Sequence, residues 1–136
     1  MTQILPNLFL GNIHDAININ FLVKNKIKAI VNASDYHNKY VHFSYMNIDV
    51  EDVEAADIQK YFTKVSRFIC NCLIKGHAVL VHCNGGISRS PTLVIAFLIQ
   101  KRRMSLTDAI TFVRQKRPVI LPNDGFLAQL RKRFET

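Results

Sequence analysis

The stretch from His82 to Ser90 restricts the fold of this chain more than any other feature, because it joins three different local structures. An apolar run at 78–81 comes directly before it, and a run with helical character comes directly after it. The stretch itself contains two consecutive glycines, which permit a tight turn. A buried strand, a tight loop and the beginning of a helix form a cradle in which backbone N–H groups and the helix dipole attract an anion.

The cradle contains one nucleophilic side chain, Cys83, and one cationic side chain, Arg89. A cysteine at the bottom of an amide cradle is favoured as the thiolate, and a guanidinium at the rim matches two phosphate oxygens. The stretch is therefore predicted to bind a phosphate group and to attack its phosphorus with sulfur. The alternative, a small buried cysteine beside an ordinary turn, does not explain why all these residue types occur in this order. The predicted phosphate-binding residues are Asn84, Gly85, Gly86, Ile87, Ser88 and Arg89.

The residues on either side of the cradle have predicted supporting roles. His82 is expected to hydrogen-bond the backbone and shape the loop rather than act as a base. Ser90 is within reach of the sulfur, where its hydroxyl would stabilise the thiolate as it leaves the phosphoenzyme. Ser90 is also suited to capping the following helix, and the two roles are compatible.

A phosphatase reaction also needs an acid for the leaving oxygen, and the acidic segment at 48–54 is the candidate. This segment lies between a predicted strand and a predicted helix, where a mobile loop is expected. Its four carboxylates are not distinguished by chemistry alone, and an alternative is that they only face solvent near a helix N-terminus. No metal ion and no cofactor are predicted, because the cradle already supplies the electrostatic stabilisation. The four carboxylates are Asp49, Glu51, Asp52 and Glu54.

The pattern of apolar residues predicts strands that alternate with helices. The length of 136 residues predicts a single domain over 1–136. The alternation predicts an α/β sandwich whose central, largely parallel sheet of about five strands is flanked by helices. Ligands bind at the carboxyl ends of the strands in such sheets, and the cradle follows a strand at that end. The predicted strands are 4–10 (interrupted at 6–7), 29–32, 42–48 and 78–82, and the predicted helices are 15–24, 57–75, 91–103, 105–116 and 124–133, with Asn123 or Asp124 as the last cap.

The net charge of +8 indicates the kind of partner, since nine of the eighteen basic residues follow Gln100. A positive field attracts anionic substrates, and nucleic acid or acidic lipid are alternative partners. Equally, the basic residues lie near predicted helix ends, where they complement the helix dipole. No apolar run has the length of a membrane span, and the first residues lack the features of a signal peptide. A cytoplasmic location is therefore expected, with the nucleus as an alternative.

The three cysteines fit a reducing compartment, because an odd number does not form a disulfide framework. Cys70 and Cys72 lie within a predicted helix and are expected to serve packing. A disulfide that protects Cys83 is the less favoured alternative.

With these residues, the chain resembles the dual-specificity phosphatases of the cysteine-dependent protein tyrosine phosphatase superfamily. The superfamily pattern, His-Cys-x5-Arg-Ser/Thr, corresponds to the stretch from His82 to Ser90. The similarity extends over nearly the whole chain, including an opening segment at 4–11, the acidic segment with the helix that follows it at 48–62, and a closing segment at 117–130. The resemblance implies a protein tyrosine phosphatase-like fold in the form of a bare catalytic domain.

The resemblance also implies a substrate and a mechanism. The substrates would be phosphotyrosine, phosphoserine and phosphothreonine in proteins, admitted by a shallow pocket and hydrolysed through a phosphocysteine on Cys83. Phosphorylated proteins are then the expected partners. Asp52 is selected as the general acid, with Asp49 as the second choice, and Asn123 matches a position that supports the catalytic loop. One departure is Gly85, where the family often has alanine, so the loop is expected to be slightly more flexible.

Two other functions remain as alternatives. The same chemistry on an RNA 5′-triphosphate or a phosphoinositide is slightly favoured by the basic charge. RNA-directed relatives, however, carry a different loop sequence, so nucleic acid is not the favoured partner. The other alternative is a non-catalytic phosphate-binding module. The joint presence of Cys83, Arg89 and Asp52 is an argument against that module, since a binding protein needs the cradle but not the acid.

Overall fold

A computed structural model of the chain describes residues 1–135. Strands alternate with helices through its first two thirds, and helices alone make up the last third. In chain order the elements are β1 (Thr2–Leu5), β2 (Leu8–Gly11), α1 (Ile13–Ala16), α2 (Ile19–Lys24), β3 (Ile27–Asn32), β4 (Ser44–Asn47), the 3₁₀ turn Gln59–Tyr61, α3 (Phe62–Ile74), β5 (Ala78–His82), α4 (Arg89–Arg102), α5 (Leu106–Lys116) and α6 (Asp124–Phe134).

The five strands form one sheet in the order β1-β2-β5-β3-β4. Only β1 runs antiparallel to its neighbour, β2, and the other three pairings are parallel. The predicted largely parallel sheet of about five strands is thus confirmed. β5 lies at its centre, so the loop after His82 begins in the middle of the sheet's carboxyl edge.

The central strand is buried on both faces, which explains its uninterrupted apolar sequence. Val79 and Val81 point into the larger core cluster, which is formed with α3, α4, α5 and α6. Leu80 points to the opposite face and packs with Ile30 and Leu22 in a smaller cluster beneath α1 and α2. Successive side chains of β5 thus point to opposite faces of the sheet, and helices cover both faces, as the sequence predicted.

The helix that follows the cradle is the centre of the larger core. Residues 89–98 of α4 are all buried, and α4 packs against α3, α5 and α6. The near-continuous apolar run that follows Pro91 is explained by this position. The predicted start at Pro91 was two residues late, because α4 begins at Arg89 and a proline is tolerated in the first turn of a helix.

Other element boundaries also differ from the predictions. The helix expected over 15–24 is two short helices, because Asn12 caps α1 and Asn18 caps α2. The helix expected from Asp57 begins at Phe62, after a single 3₁₀ turn. The strand expected over 42–48 is shorter, because only Ser44–Asn47 pairs with β3.

Basic side chains occupy the last turns of the three C-terminal helices, as the dipole interpretation predicted. Cys70 and Cys72 are half-buried free thiols that pack against the larger core, and burial raises the pKa of the Cys72 thiol. Within residues 1–135, no helix is both long enough and apolar enough to cross a membrane.

Candidate active site

The backbone carbonyl groups of the loop between β5 and α4 point away from the centre of the cradle, toward neighbouring parts of the protein. Each carbonyl from Asn84 to Ser88 accepts a hydrogen bond from a group outside the centre of the cradle. The donors are Ile13 N to Asn84 (3.1 Å), Arg117 Nη2 to Gly85 (3.5 Å), Arg117 Nε to Gly86 (2.9 Å), Leu121 N to Ile87 (2.7 Å) and Thr92 Oγ1 to Ser88 (2.8 Å).

The backbone N–H groups of the same loop are left free. Among residues 1–135, none of the N–H groups from Asn84 to Arg89 donates to a protein acceptor. Because the carbonyls bond to the surrounding protein, these donors are available to an anion in the cradle. This arrangement of successive amides at the start of a helix is an anion-binding nest.

Gly86 allows the loop to close against the neighbouring strand. Its φ of +65° lies in the left-handed region that glycine adopts without strain. A Cβ there would lie 2.7 Å from the Gly11 carbonyl oxygen and 2.6 Å from Nη2 of Arg117. The position therefore requires glycine for two reasons, the backbone conformation and the lack of space.

Cys83 lies at the bottom of the cradle, and only 3% of it is exposed. Its Sγ is 3.1 Å from Oγ of Ser90, a fully buried residue, so the structure brings together the thiol and the hydroxyl that the sequence paired. A hydroxyl at this distance is able to donate a hydrogen bond to a thiolate.

His82 is buried beneath the loop, and burial lowers its pKa to about 4. Its Nδ1 lies 3.3 Å from the Cys83 carbonyl oxygen, which accepts, so a neutral ring that donates from Nδ1 fits the site. This contact places the ring against the backbone of the loop, and the role of His82 in shaping the loop stays a prediction.

Arg89 is 4% exposed, and its guanidinium contacts the segment that follows β3. Nη1 donates to Oδ1 of Asp35 (2.9 Å) and to the Val50 carbonyl oxygen (3.2 Å). Nε is buried and has no hydrogen-bond partner within residues 1–135. An unpaired donor on a buried cation is costly, so this nitrogen is suited to an anion in the cradle.

Asp52 is exposed and is linked to the phosphate loop through one residue. Nδ2 of Asn123 donates to Oδ1 of Asp52 (2.9 Å), and the Asn123 N–H donates to Oγ of Ser88 (2.9 Å). Asn123 also caps α6 through Phe126 N. The structure thus places Asn123 between the acidic segment and the cradle.

The second candidate acid, Asp49, lies in a different setting. It lines a polar cavity of about 390 Å³ together with residues of the segment after β3, and its backbone carbonyl accepts from Oη of Tyr61. Glu54, at the other end of the acidic segment, lies so close to α6 that a Cβ at Gly125 would overlap its carbonyl group. Close packing against α6 therefore fixes the end of the segment that follows Asp52.

Two residues at the site were not recognised in the sequence. Arg117, which supports the loop carbonyls, was placed at the end of a predicted helix and in the closing segment of the family resemblance, without a role at the cradle, and Asp35 was not identified at all. Neither lies at a helical or strand spacing from Cys83, so no local pattern placed either residue beside the cradle. Within residues 1–135, no three His, Cys, Asp or Glu side chains are grouped as a metal site, and the metal-free mechanism stays a prediction.

An amide nest with a cysteine and an arginine, at the carboxyl edge of a mostly parallel sheet, defines a protein tyrosine phosphatase-like site. The family model "Dual specificity phosphatase, catalytic domain" matches residues 8–136. The chain belongs to this family.

Individual relatives agree with the family match. The chain is 42% identical to "Putative tyrosine phosphatase 123R" of Invertebrate iridescent virus 6, over 95% of this chain and 88% of that protein. It is 39% identical to Dual specificity protein phosphatase 5 of Homo sapiens, over 94% of this chain but 34% of that protein. The crystal structure of human DUSP28 has a TM-score of 0.92 at 29% identity, and the match covers 97% of this chain and 94% of that one.

These comparisons confirm the family, the fold class and the enzyme class that the sequence predicted, a dual specificity protein phosphatase. The chain spans about a third of the length of that human phosphatase. The reacting residues and the substrate are proposals, which follow.

Proposed function

We propose that this chain hydrolyses phosphotyrosine, phosphoserine and phosphothreonine in proteins through a phosphocysteine intermediate on Cys83, without a metal ion. The observation that carries the proposal is the cradle itself. Its carbonyls point outward, its N–H groups are free, and a buried thiol lies beneath them. These donors match the equatorial oxygens of a phosphoryl group and follow its charge into the transition state.

In the first step Sγ of Cys83 attacks the phosphorus, and the bond from phosphorus to the ester oxygen breaks. The leaving oxygen takes a proton from the carboxyl group of Asp52. In the second step water attacks the phosphorus of the phosphocysteine, and the Asp52 carboxylate takes a proton from that water. The bond from phosphorus to sulfur breaks, and the sulfur leaves as a thiolate. The Ser90 hydroxyl, 3.1 Å from the sulfur, stabilises that thiolate by donating a hydrogen bond.

Arg89 binds two phosphate oxygens in both steps. The support for this role is the buried Nε, which has no partner within the described residues and gains one when a phosphate enters. A guanidinium that bridges two oxygens also fixes the orientation of the phosphoryl group for in-line attack.

Asp52 is favoured over Asp49 as the acid because Asn123 links its carboxylate to the phosphate loop. Phosphorylated proteins are favoured as substrates because the matched human relative is named a protein phosphatase. The free thiols of Cys70, Cys72 and Cys83 support a reducing, intracellular location, in which the cytoplasm is the proposed compartment.

The test is phosphate release in the presence of a chelator, with Cys83→Ser as the control. The substrates are a phosphotyrosine peptide, a phosphothreonine peptide, a 5′-triphosphorylated RNA and a phosphoinositide. Cleavage of both peptides by the unaltered protein, lost in Cys83→Ser, supports the proposal. Cleavage of only the RNA or the lipid contradicts the proposed substrate, and turnover in Cys83→Ser contradicts the proposed nucleophile.

A further inference from the structure

Asp35 makes an ion pair with the phosphate-binding arginine of the proposed mechanism, although the two residues are 54 positions apart in sequence. Oδ1 of Asp35 accepts from Nη1 of Arg89 at 2.9 Å. The two side chains differ in exposure, 60% for Asp35 and 4% for Arg89. The aspartate therefore reaches from the surface to the buried guanidinium.

A second residue of the cradle holds this aspartate in place. Nδ2 of Asn84 donates to Oδ2 of Asp35 at 2.7 Å, and the Asp35 N–H donates to Oδ1 of Asn84 at 2.9 Å. Both carboxylate oxygens are thus engaged, one by Asn84 and one by Arg89. Hydrogen bonds from Arg89 and then from Asn84 hold the pKa of Asp35 below its usual range, so the carboxylate is charged at neutral pH.

The hydrogen bonds of Arg89 are unevenly distributed over its guanidinium. Nη1 makes both of the bonds that the side chain has within residues 1–135, one to Asp35 and one to the Val50 carbonyl oxygen. Nε is buried without a partner, and Nη2 makes no hydrogen bond in this part of the chain. The edge that joins Nε and Nη2 is therefore free to bind two phosphate oxygens.

We propose that Asp35 is a positioning residue that, with Asn84, anchors Nη1 of Arg89 and so presents the Nε–Nη2 edge of the guanidinium to the phosphate. This inference rests on the proposed function, because it assigns the orientation of the arginine in that mechanism. Arginine has a flexible stem, and a guanidinium that is fixed before binding loses less conformational freedom when the phosphate arrives.

A competing role makes the opposite prediction. If Asp35 only competed with phosphate for Arg89, its removal would strengthen phosphate binding. The removal also takes a negative charge away from an anion site, which by itself favours phosphate. If Asp35 positions Arg89, its removal weakens phosphate binding in spite of that electrostatic gain. The sign of the change in phosphate affinity therefore distinguishes the two roles.

The variants are Asp35→Asn, which keeps the shape and one acceptor oxygen, and Asp35→Ala, which removes the contact. The control is Asp108→Asn, which removes one negative charge from an exposed residue in the first turn of α5. Inhibition by orthophosphate is measured with kcat and KM on a phosphotyrosine peptide, and folding is checked by thermal unfolding.

We expect Asp35→Ala to raise the inhibition constant of orthophosphate about tenfold. This factor corresponds to the low end of the range for a hydrogen bond to a charged group, and the low end applies because Asp35 is largely exposed. KM rises by a similar factor, Asp35→Asn shows a smaller loss in the same direction, and Asp108→Asn leaves both constants unchanged. Unchanged or tighter orthophosphate binding in a folded Asp35→Ala or Asp35→Asn protein overturns the proposal.

An Arg89→Lys background separates positioning from a merely structural role. If Asp35 acts through the guanidinium fork, Asp35→Ala in the Arg89→Lys protein causes little further loss of orthophosphate affinity. If its effect is merely structural, the losses from the two substitutions add in full. Orthophosphate binding is also measured by calorimetry on Cys83→Ser protein, with and without Asp35→Ala. This arm needs no turnover, so it tests Asp35 even where the unaltered chain hydrolyses nothing and the proposed function fails.

Discussion

Nδ2 of Asn123 donates to Oδ1 of Asp52 at 2.9 Å, while the backbone N–H of Asn123 donates to Oγ of Ser88 in the phosphate loop. Its remaining side-chain atom, Oδ1, accepts from Phe126 N and caps α6. One residue thus connects the proposed acid, the phosphate loop and the beginning of a helix. Substitutions that keep some of these contacts and remove others separate their contributions.

Asn123→Ser keeps a capping oxygen for α6 but loses the donor to Asp52. We expect its free energy of unfolding to stay close to that of the unaltered protein, whereas Asn123→Ala loses about 1 kcal/mol with the cap. Both variants are expected to lower kcat about threefold, the equivalent of one hydrogen bond worth roughly 0.7 kcal/mol. Urea denaturation and kcat on a phosphotyrosine peptide check the two effects, and a kcat loss confined to Asn123→Ala would contradict a role through Asp52.

Asp52→Asn tests the acid assignment directly. Without a proton donor, a poor leaving group departs slowly, so we expect a loss of about a hundredfold in kcat on phosphoserine and phosphothreonine peptides. An activated aryl phosphate needs little protonation and is expected to lose much less. Asp49→Asn, the matched control in the same acidic segment, should leave this leaving-group dependence unchanged. A larger loss in Asp49→Asn would move the acid role to Asp49.

The phosphate cradle was predicted from the sequence because its parts are contiguous. The strand, the glycines, Cys83 and Arg89 lie within a few residues, so spacing alone indicates how they meet. The contacts of Asp35 and Arg117 with the cradle were missed because they are tertiary contacts, over 54 residues to Arg89 and 31 residues to Gly86. Contacts of this kind depend on the strand order, which local patterns do not determine.

The helices show the same division between local and tertiary information. The long apolar period of α3 and the buried face of α4 were sufficient to predict both helices. The segment at 15–24, in contrast, was predicted as a single helix. The side chain of Asn18 instead accepts from Phe21 N, and this cap begins a second helix. Capping asparagines are difficult to distinguish from other surface asparagines by sequence alone.

Arg117 supports the phosphate loop from outside, since Nε donates to the Gly86 carbonyl oxygen at 2.9 Å and Nη1 donates to Oγ1 of Thr2. We expect Arg117→Ala to lower kcat/KM about tenfold and stability by about 1–2 kcal/mol, because a carbonyl that faces away from the cradle loses its donor. The control is Arg114→Ala, which changes an exposed residue near the end of α5, three positions before Arg117. If both variants lose activity equally, general charge rather than loop support is responsible.

His82 makes the stability of the protein depend on pH in a defined window. Burial lowers its pKa from 6.5 to about 4, an effect opposed by the Cys83 carbonyl and Asp15 and reinforced by Arg89. Between these values the unfolded chain binds a proton that the folded protein does not, so stability falls as the pH decreases from 6.5 toward 4. The full contribution is about 3 kcal/mol, from 1.36 kcal/mol per pH unit.

Substitution isolates this contribution from the carboxylates that titrate in the same range. We expect the unaltered protein to lose more stability than His82→Gln between pH 7 and pH 4.5, a difference of about 2–3 kcal/mol, because only the former carries the buried imidazole. His77→Gln, which replaces an exposed histidine just before the same strand, should follow the unaltered protein. Urea denaturation at each pH gives the free energies, and parallel curves for the unaltered protein and His82→Gln would show that His82 takes up its proton normally in the folded state.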